Sequence, residues 1–309
     1  MITIFAIPKA FKGNIDIIQS NAIRSWTLLR PECEVILFGK DEGTAETALK
    51  LGIKHIPDIE CNEFGTPLVS SVFSMAQNIA SNRLLCYVNA DIILLNDFIT
   101  AIRQVKAQSY LMVGQRWDFN LNEFVNFADP NWETLLRNRV KAEGQLHPVT
   151  GIDYFVFPRG LYRDMPPFAI GRTAWDNWLI FRAREARARV IDGTKVATII
   201  HQNHDYSHHP EGALAVWQGP EAKRNAELAG GLNHLFTTQY ATDLLTPQGL
   251  KPALSPRYIY FRMRAFPVLY PNFLFLLIPF KAFELASKVV RKIVRTIVAT
   301  FRIKKLAAT

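Results

Sequence analysis

Cysteine is scarce. Cys33, Cys61 and Cys86 are the only three, scattered with no CxxC spacing, which excludes a disulfide framework and a zinc site built on thiolates. An export leader is also missing: Met-Ile-Thr-Ile-Phe-Ala-Ile-Pro has no basic n-region and no long apolar stretch, so it reads as a first strand and the expected location is cytoplasmic. The uncharged run Ala265 to Phe280 has 16 residues and contains Pro267, Pro271 and Pro279, short of the roughly 20 apolar residues of a spanning helix. No GxGxxG follows the first strand and no GxxxxGK followed by Ser or Thr occurs; a dinucleotide dehydrogenase and a P-loop NTPase are both disfavoured. Internal repeats and low-complexity linkers are absent too.

What is present is enough apolar chain for a sizeable core, with 49% of 309 residues hydrophobic and 20% charged, as one large domain or a domain with an appendage. The net charge of +9 is unevenly placed. Residues 251 to 309 hold 12 Lys and Arg against the single acid Glu284, or +11, whereas residues 1 to 250 hold 24 basic and 26 acidic residues, or −2. A nucleic-acid binder spreads its cations over the folded domain beside stacking aromatics or a recognition helix, so no nucleic acid partner is expected. An anionic membrane surface fits the tail better. Lys281 to Lys305 places Lys281, Lys288, Lys292, Arg295 and Arg302 on one helical face, opposite Val290, Ile293, Ile297 and Phe301, the pattern of an interfacial amphipathic helix. A basic helix packed on its own domain is the competing reading.

Residues 1 to 115 alternate short apolar strands with amphipathic helices, which predicts an α/β domain with a largely parallel sheet. Strands are expected over Ile2 to Ile7, Glu34 to Phe38, Lys54 to Ile56, Leu84 to Val88 and Ser109 to Gly114. Helices are expected over Ile15 to Leu29, Ala45 to Leu51, Thr66 to Ala80, with Pro67 in its first turn, and Asp97 to Ala107. From 116 to 150 the periodicity weakens and aromatics gather (Trp117, Phe119, Phe124, Phe127, Trp132), suggesting a surface excursion near a ligand cleft. Strands at Tyr154 to Phe157 and Lys195 to Ile200 then flank a helix over Asp176 to Ala188.

Three clusters carry chemistry. Asn89-Ala90-Asp91 stands at a strand end, where open α/β sheets bind ligands, and a carboxylate there can hold a divalent cation against diphosphate oxygens. A helix-capping Asp would look the same. The segment His201 to His209 holds four of the seven histidines; imidazoles there suit a metal site or phosphate, or a solvated polar loop. Asp176 lies between Trp175 and Trp178 at a helix start, where aromatic walls raise a carboxylate pKa toward a general base and flat rings stack on sugars, although acids also occupy first turns for the helix dipole alone.

Tyr87 to Leu94, Thr150-Gly151-Ile152-Asp153, Trp175-Asp176-Asn177-Trp178 and the loop from His201 to His204 together resemble, in order and spacing, the GT-A glycosyltransferases over roughly residues 1 to 210. The resemblance implies an α/β, Rossmann-like, mostly parallel sheet in a single domain (1 to 250, with nucleotide-sugar half 1 to 115 and acceptor and metal half 116 to 250) followed by the basic membrane-associating tail 251 to 309. It implies a nucleotide-sugar donor, a hydroxyl acceptor, a divalent metal (Mn²⁺ or Mg²⁺), and inversion in preference to retention; the basic amphipathic tail adds the expectation that the acceptor is a lipid-linked or cell-surface glycan precursor. Asn89-Ala90-Asp91 takes the place of the Asp-x-Asp motif, with Asn in place of its first acid. Asp91 would be the metal carboxylate, His201 or His204 the late histidine of the metal shell, and Asp176 the base. Ala6, Ile7, Asp41, Gly65, Thr66 and Pro67 would line the donor pocket with Asn89, Ala90 and Asp91, and Asp153, Trp175, Asn177 and Trp178 the acceptor side. A metal-dependent phosphoester or diphosphate hydrolase centred on the histidine loop, and an inactive nucleotide-sugar-binding membrane scaffold, are the rival readings.

Overall fold

The first strand, β1 (Ile2–Ala6), is buried along its whole length, as an apolar run is when it lies mid-sheet with layers on both faces. Parallel to it lie β2 (Glu34–Phe38) on one side and β4 (Leu84–Val88) on the other, with β3 (Lys54–Ile56) parallel beyond β2. The connections are the helices α1 (Asn14–Thr27), α2 (Thr44–Leu51) and α3 (Val69–Ile79). The chain therefore winds outward from β1 to β3 and returns on the far side of β1. That reversal leaves a crevice at the carboxyl ends of β1 and β4. The computed structural model describes residues 1–204 and 217–273.

The remaining elements, numbered in chain order, are β5 (Ile92–Leu94), α4 (Asn96–Gln104), β6 (Tyr110–Val113), β7 (Trp117–Phe119), α5 (Trp132–Glu143), β8 (Gln145–Leu146), β9 (Tyr154–Pro158), α6 (Trp175–Glu185), β10 (Arg189–Asp192), β11 (Ile199–Gln202), α7 (Pro220–Leu228), β12 (Asp243–Thr246), β13 (Gly249–Pro252) and α8 (Pro256–Leu269). The large sheet has nine strands in the order β13-β12-β10-β6-β9-β4-β1-β2-β3. Only β9 and β13 run against their neighbours. This is the mixed α/β, mostly parallel, Rossmann-like arrangement that the GT-A resemblance implies. A second sheet of four strands, β5-β11-β7-β8, stands beside it.

Both faces of β1 are packed. Ile2, Ile4 and Ala6 join Ala22, Ile23 and Trp26 of α1 in one core, while Phe5 meets Phe38, Phe73, Tyr87 and Phe157 edge-on at 5.2–6.3 Å. Trp26 is fully buried and donates Nε1–H to the carbonyl of Ile92 at 2.8 Å, which fixes α1 against the start of β5. A buried aromatic of this kind contributes about 3–5 kcal/mol against truncation to alanine.

Several local expectations are corrected. Pro67 is not in the first turn of α3: Leu68 is extended at φ −92°, ψ 128° and both residues make bridges, Pro67 to Cys61 and Leu68 to Ala169, so the helix waits until Val69. The region 116 to 150 is not only an excursion, because α5 lies within it. Its sole buried side chains, Leu136 and Val140, make too thin a stripe to register as periodicity. The last strand begins at Ile199 rather than Lys195, because Val196 and Ala197 donate back to the Gly193 carbonyl in a turn. β10, β12 and β13, strands of four residues each, are additions to the expected set. The compact unit runs Met1–Tyr258, and residue 250 lies inside β13. A second unit, Ile259–Thr309, contains most of α8, with Pro267 inside the helix. No helix among the described residues is long and apolar enough to cross a membrane. The amphipathic stretch Lys281 to Lys305 and the end of the run Ala265 to Phe280 lie outside the described residues.

Candidate active site and metal centre

Asp91 sits in a tight turn between β4 and β5, closed by Ile92 N–H donating to the Asn89 carbonyl at 3.1 Å. The Asp91 carbonyl accepts from both the backbone N–H and the side-chain Nε2 of Gln202, at 3.3 and 3.1 Å. Fully buried Gln202 also donates Nε2 to the Ile18 carbonyl at 2.8 Å and accepts from Asn21 Nδ2 at 3.0 Å. One amide thus holds α1, β11 and the Asp91 turn together.

Around that turn Asp91, His201 and His204 offer ligand atoms all within 4.8 Å of one another. His204 Nε2 is 3.2 Å and His201 Nε2 3.6 Å from Asp91 Oδ2. The other oxygen, Asp91 Oδ1, is enclosed and has no hydrogen-bond partner, although unsatisfied buried polar atoms are costly. His201 Nδ1 faces two acceptors, Asn203 Oδ1 at 3.3 Å and Asp118 Oδ1 at 3.5 Å. The Asn203 amide is oriented by its own Nδ2 donating to Asn120 Oδ1 at 2.8 Å. Those acceptors hold a proton on Nδ1, and Nε2, which faces Asp91 Oδ2, is the nitrogen left to meet a cation. Burial raises the Asp91 pKa, but His201, His204 and Lys9 outweigh it and hold the carboxyl well below the usual range. An ionised oxygen with an unused lone pair beside two imidazole nitrogens fits a divalent cation.

Asn89 is not part of this cluster. Its Nδ2 donates to Asp153 Oδ1 at 2.8 Å and its backbone N–H to the Asp153 carbonyl at 2.9 Å, while Arg116 Nη1 lies 2.9 Å from both Asp153 oxygens. An acid at position 89 would set two carboxylates against each other. The amide is the donor that Asp153 needs, which accounts for Asn at the first position of the motif.

The helix α6 starts under strain. Ala174, buried at its N-terminus, has φ 86°, ψ −37°, a conformation that costs a residue with a Cβ about 1–3 kcal/mol. The Asp176 Oδ1 atom is enclosed and unpartnered. Burial first, then the charge of Asp153, push its pKa up to about 7 against the opposing backbone N–H groups of Asn177 and Asp176. Tyr87, buried beneath, lies within electrostatic reach of Asp91, Asp153 and Asp176 at once, so the base candidate and the cation cluster lie in one neighbourhood of its ring. Trp175 packs edge-on against Tyr87 at 5.3 Å and Trp178 against Phe168 at 5.2 Å. Both rings are buried to within 6% exposure, so they pack in the core rather than offer an open stacking face. Asn177 donates Nδ2 to the Phe236 carbonyl at 2.8 Å, and Asp153 is committed to Arg116 and Asn89.

On the donor side Ala6 ends β1, and Ile7 lies against Gly39, where an added Cβ would come within 3.3 Å of its side chain and where φ is 98°. Asp41 follows at the surface, with its pKa raised by burial of the carboxyl. Gly65 and Thr66 belong to a turn in which Asn62 Oδ1 accepts from the N–H groups of Phe64 and Thr66 at 3.0 and 2.9 Å. Ala90 is buried between Asn89 and Asp91. Sequence reasoning missed Lys9, Arg116, Asp118, His147, Arg172 and Glu221. Lys9 lies within electrostatic reach of Asp91 and Arg172, and Arg172 is held by Glu221, its Nη2 2.5 Å from Oε2. No local motif marks these residues; Arg116 meets Asp153, Asp118 meets His147 and Arg172 meets Glu221 across 37, 29 and 49 positions.

No family model matches the chain, and no curated protein sequence matches it. Among solved structures it is similar to glucosyl-3-phosphoglycerate synthase from Mycobacterium tuberculosis in complex with Mn²⁺, UDP and glucosyl-3-phosphoglycerate, with 14% identity, 75% of this chain and 81% of that chain covered, and a TM-score of 0.43. It is also similar to the mannosyltransferase PcManGT from Pyrobaculum calidifontis with GDP-Man and Mn²⁺ (12% identity, 67% and 58% covered, TM-score 0.42). A third is S. aureus TarS 1-349 with UDP-GlcNAc (14% identity, 67% and 60% covered, TM-score 0.45). These are likenesses of general architecture; the residue roles rest on this chain's own geometry.

Proposed function

We propose that this chain is a glycosyltransferase that moves a sugar from a nucleotide-sugar donor to a hydroxyl acceptor with inversion at the anomeric carbon. The observation that carries the reading is the unpartnered Asp176 oxygen of a carboxyl with a pKa of about 7, together with the Asp91, His201 and His204 cluster, both within electrostatic reach of Tyr87. Asp91, His201 and His204 would hold the cation, whose charge favours departure of a nucleoside diphosphate. Lys9 and Arg172 add positive charge on the side of β1. Asp176 takes the proton from the acceptor hydroxyl as that oxygen attacks the anomeric carbon and the nucleoside diphosphate departs, and a base with pKa near the working pH is suited to both halves of that task.

The acceptor proposed is a lipid-linked or cell-surface glycan precursor, reached from the cytoplasmic side of a membrane. The tail's charge of +11 over residues 251 to 309 favours anionic lipid, and α8 already sets Arg262 and Arg264 beside exposed Ile259 and Tyr260.

The test is a thermal-shift screen with UDP-, GDP- and dTDP-sugars, each with and without Mn²⁺, on the unaltered protein and Asp91→Ala. Stabilisation by one nucleotide family that needs both metal and Asp91 is the expected result. If no donor shifts the melting temperature at concentrations where weak binding registers by mass action, the transferase reading fails. Donor cleavage that gains nothing from any acceptor would instead mark a hydrolase.

A further inference from the structure

The four strands of the small sheet carry an acid and an imidazole in alternation across the strands. Asp91 stands immediately before β5, His201 on β11, Asp118 on β7 and His147 directly after β8. His201 and Asp118 are register partners on neighbouring parallel strands, so their side chains lie on one face of the sheet. Along this row Asp91 Oδ2 is 3.6 Å from His201 Nε2, His201 Nδ1 is 3.5 Å from Asp118 Oδ1, and Asp118 Oδ2 is 2.5 Å from His147 Nδ1.

We propose that Asp118 is a positioning residue for the cation site: held from behind by His147 and Arg116, it fixes the ring orientation and the Nδ1 proton of His201, so that Nε2 faces Asp91. This rests on reading Asp91, His201 and His204 as cation ligands. A ligating imidazole needs its remote N–H held by an acceptor, and a carboxylate is the strongest available. Asp118 has little freedom of its own. Arg116 Nε donates to Oδ1 at 2.9 Å while its Nη1 is engaged by Asp153. His147 is fixed in turn, its backbone N–H donating to the Arg116 carbonyl at 2.9 Å. Its ring lies on Gly151, where a Cβ would come within 2.2 Å of Cδ2. Orientation is thus handed along the row from a glycine contact to the ligand. Asn203 Oδ1 is the other acceptor near His201 Nδ1, but it is neutral and sits in the loop after β11.

Mn²⁺ titrations followed by electron paramagnetic resonance, without nucleotide, compare the full-length protein with Asp118→Asn, His147→Gln and Asn203→Ala. Nitrogen-14 electron spin-echo modulation reports the coordinated imidazoles, and melting in EDTA reports the fold. Asp118→Asn is expected to weaken Mn²⁺ binding roughly 10–100-fold and to diminish the imidazole modulation, with His147→Gln moving both in the same direction by less. An affinity within about threefold of the unaltered protein in folded Asp118→Asn, set against that expectation, overturns the proposal, as does finding the loss in Asn203→Ala instead. Should Asp118→Asn not fold, His147→Gln decides alone, and unchanged affinity and modulation there overturn it. Absence of Mn²⁺ binding by the unaltered protein overturns the cation site itself, and this proposal with it, which separates the two failures.

Discussion

Asp176 and Asn89 show how a single side chain is read differently once its neighbours are known. The raised pKa of Asp176 means that the folded state binds a proton which the unfolded state, with a pKa near 4, has lost. Stability contributed by the neutral acid therefore falls as pH rises toward about 7. Asp176→Asn is expected to cut transfer roughly 10²–10⁴-fold with donor binding intact. It is also expected to raise stability by an amount that grows from pH 5 to pH 8, on the order of 1–3 kcal/mol after allowance for solvent screening. Urea melts at the two pH values check this, and an activity profile of the unaltered protein rising through pH 7 checks the base. Asn89→Asp is the converse case. Restoring the acid of the motif is expected to lose about 1–3 kcal/mol by setting like charges together over Asp153, with no tighter Mn²⁺ binding. A stable variant with stronger metal affinity would show that Asn89 is a lost ligand and not a donor to Asp153.

Elements differ in how far their sequences announce them. The strands β1, β2 and β4 are continuous apolar runs, and α1 repeats its buried residues at helical spacing, so local physics alone specifies them. The small sheet is the opposite case: β5 and β7 have three residues each and β8 two, and β5 and β7 are joined only through β11, more than 80 residues away, with β8 added on β7. The helix α6 carries its own signature of function in Ala174. Ala174→Gly removes the Cβ that makes φ 86° unfavourable and is expected to stabilise the fold by about 1 kcal/mol; a lower melting temperature would show the strain to be absent. Gln202→Ala acts on the junction of three elements. Leaving the carbonyls of Asp91 and Ile18 and the amide of Asn21 short of a partner is expected to cost about 2–4 kcal/mol and to weaken cation binding, measured by chemical denaturation and by Mn²⁺ titration of the same sample.

At the scale of the molecule, charge and fold are segregated. The unit Met1–Tyr258 includes the whole crevice, and the excess positive charge lies after it. A chain ending at residue 258 is expected to keep donor-induced stabilisation and to lose co-sedimentation with anionic liposomes, in which each basic residue near the surface contributes about 1 kcal/mol. Undiminished co-sedimentation of the shortened chain would remove the tail as the anchor. The sequence by itself determined the parallel α/β core, the position of Asp91 at a strand end, the histidine-rich loop after the last strand of the site and the carboxylate between two tryptophans, because each of these follows from short-range pattern or composition. Only the tertiary structure decided that Asn89 serves Asp153, that Trp175 and Trp178 are buried in the core, and that Arg116, Asp118 and His147 line up beside Asp153 and His201. Those roles depend on contacts between residues tens of positions apart, and burial, orphaned oxygens and shifted pKa values are properties of what surrounds a side chain, which its neighbours in the sequence do not specify.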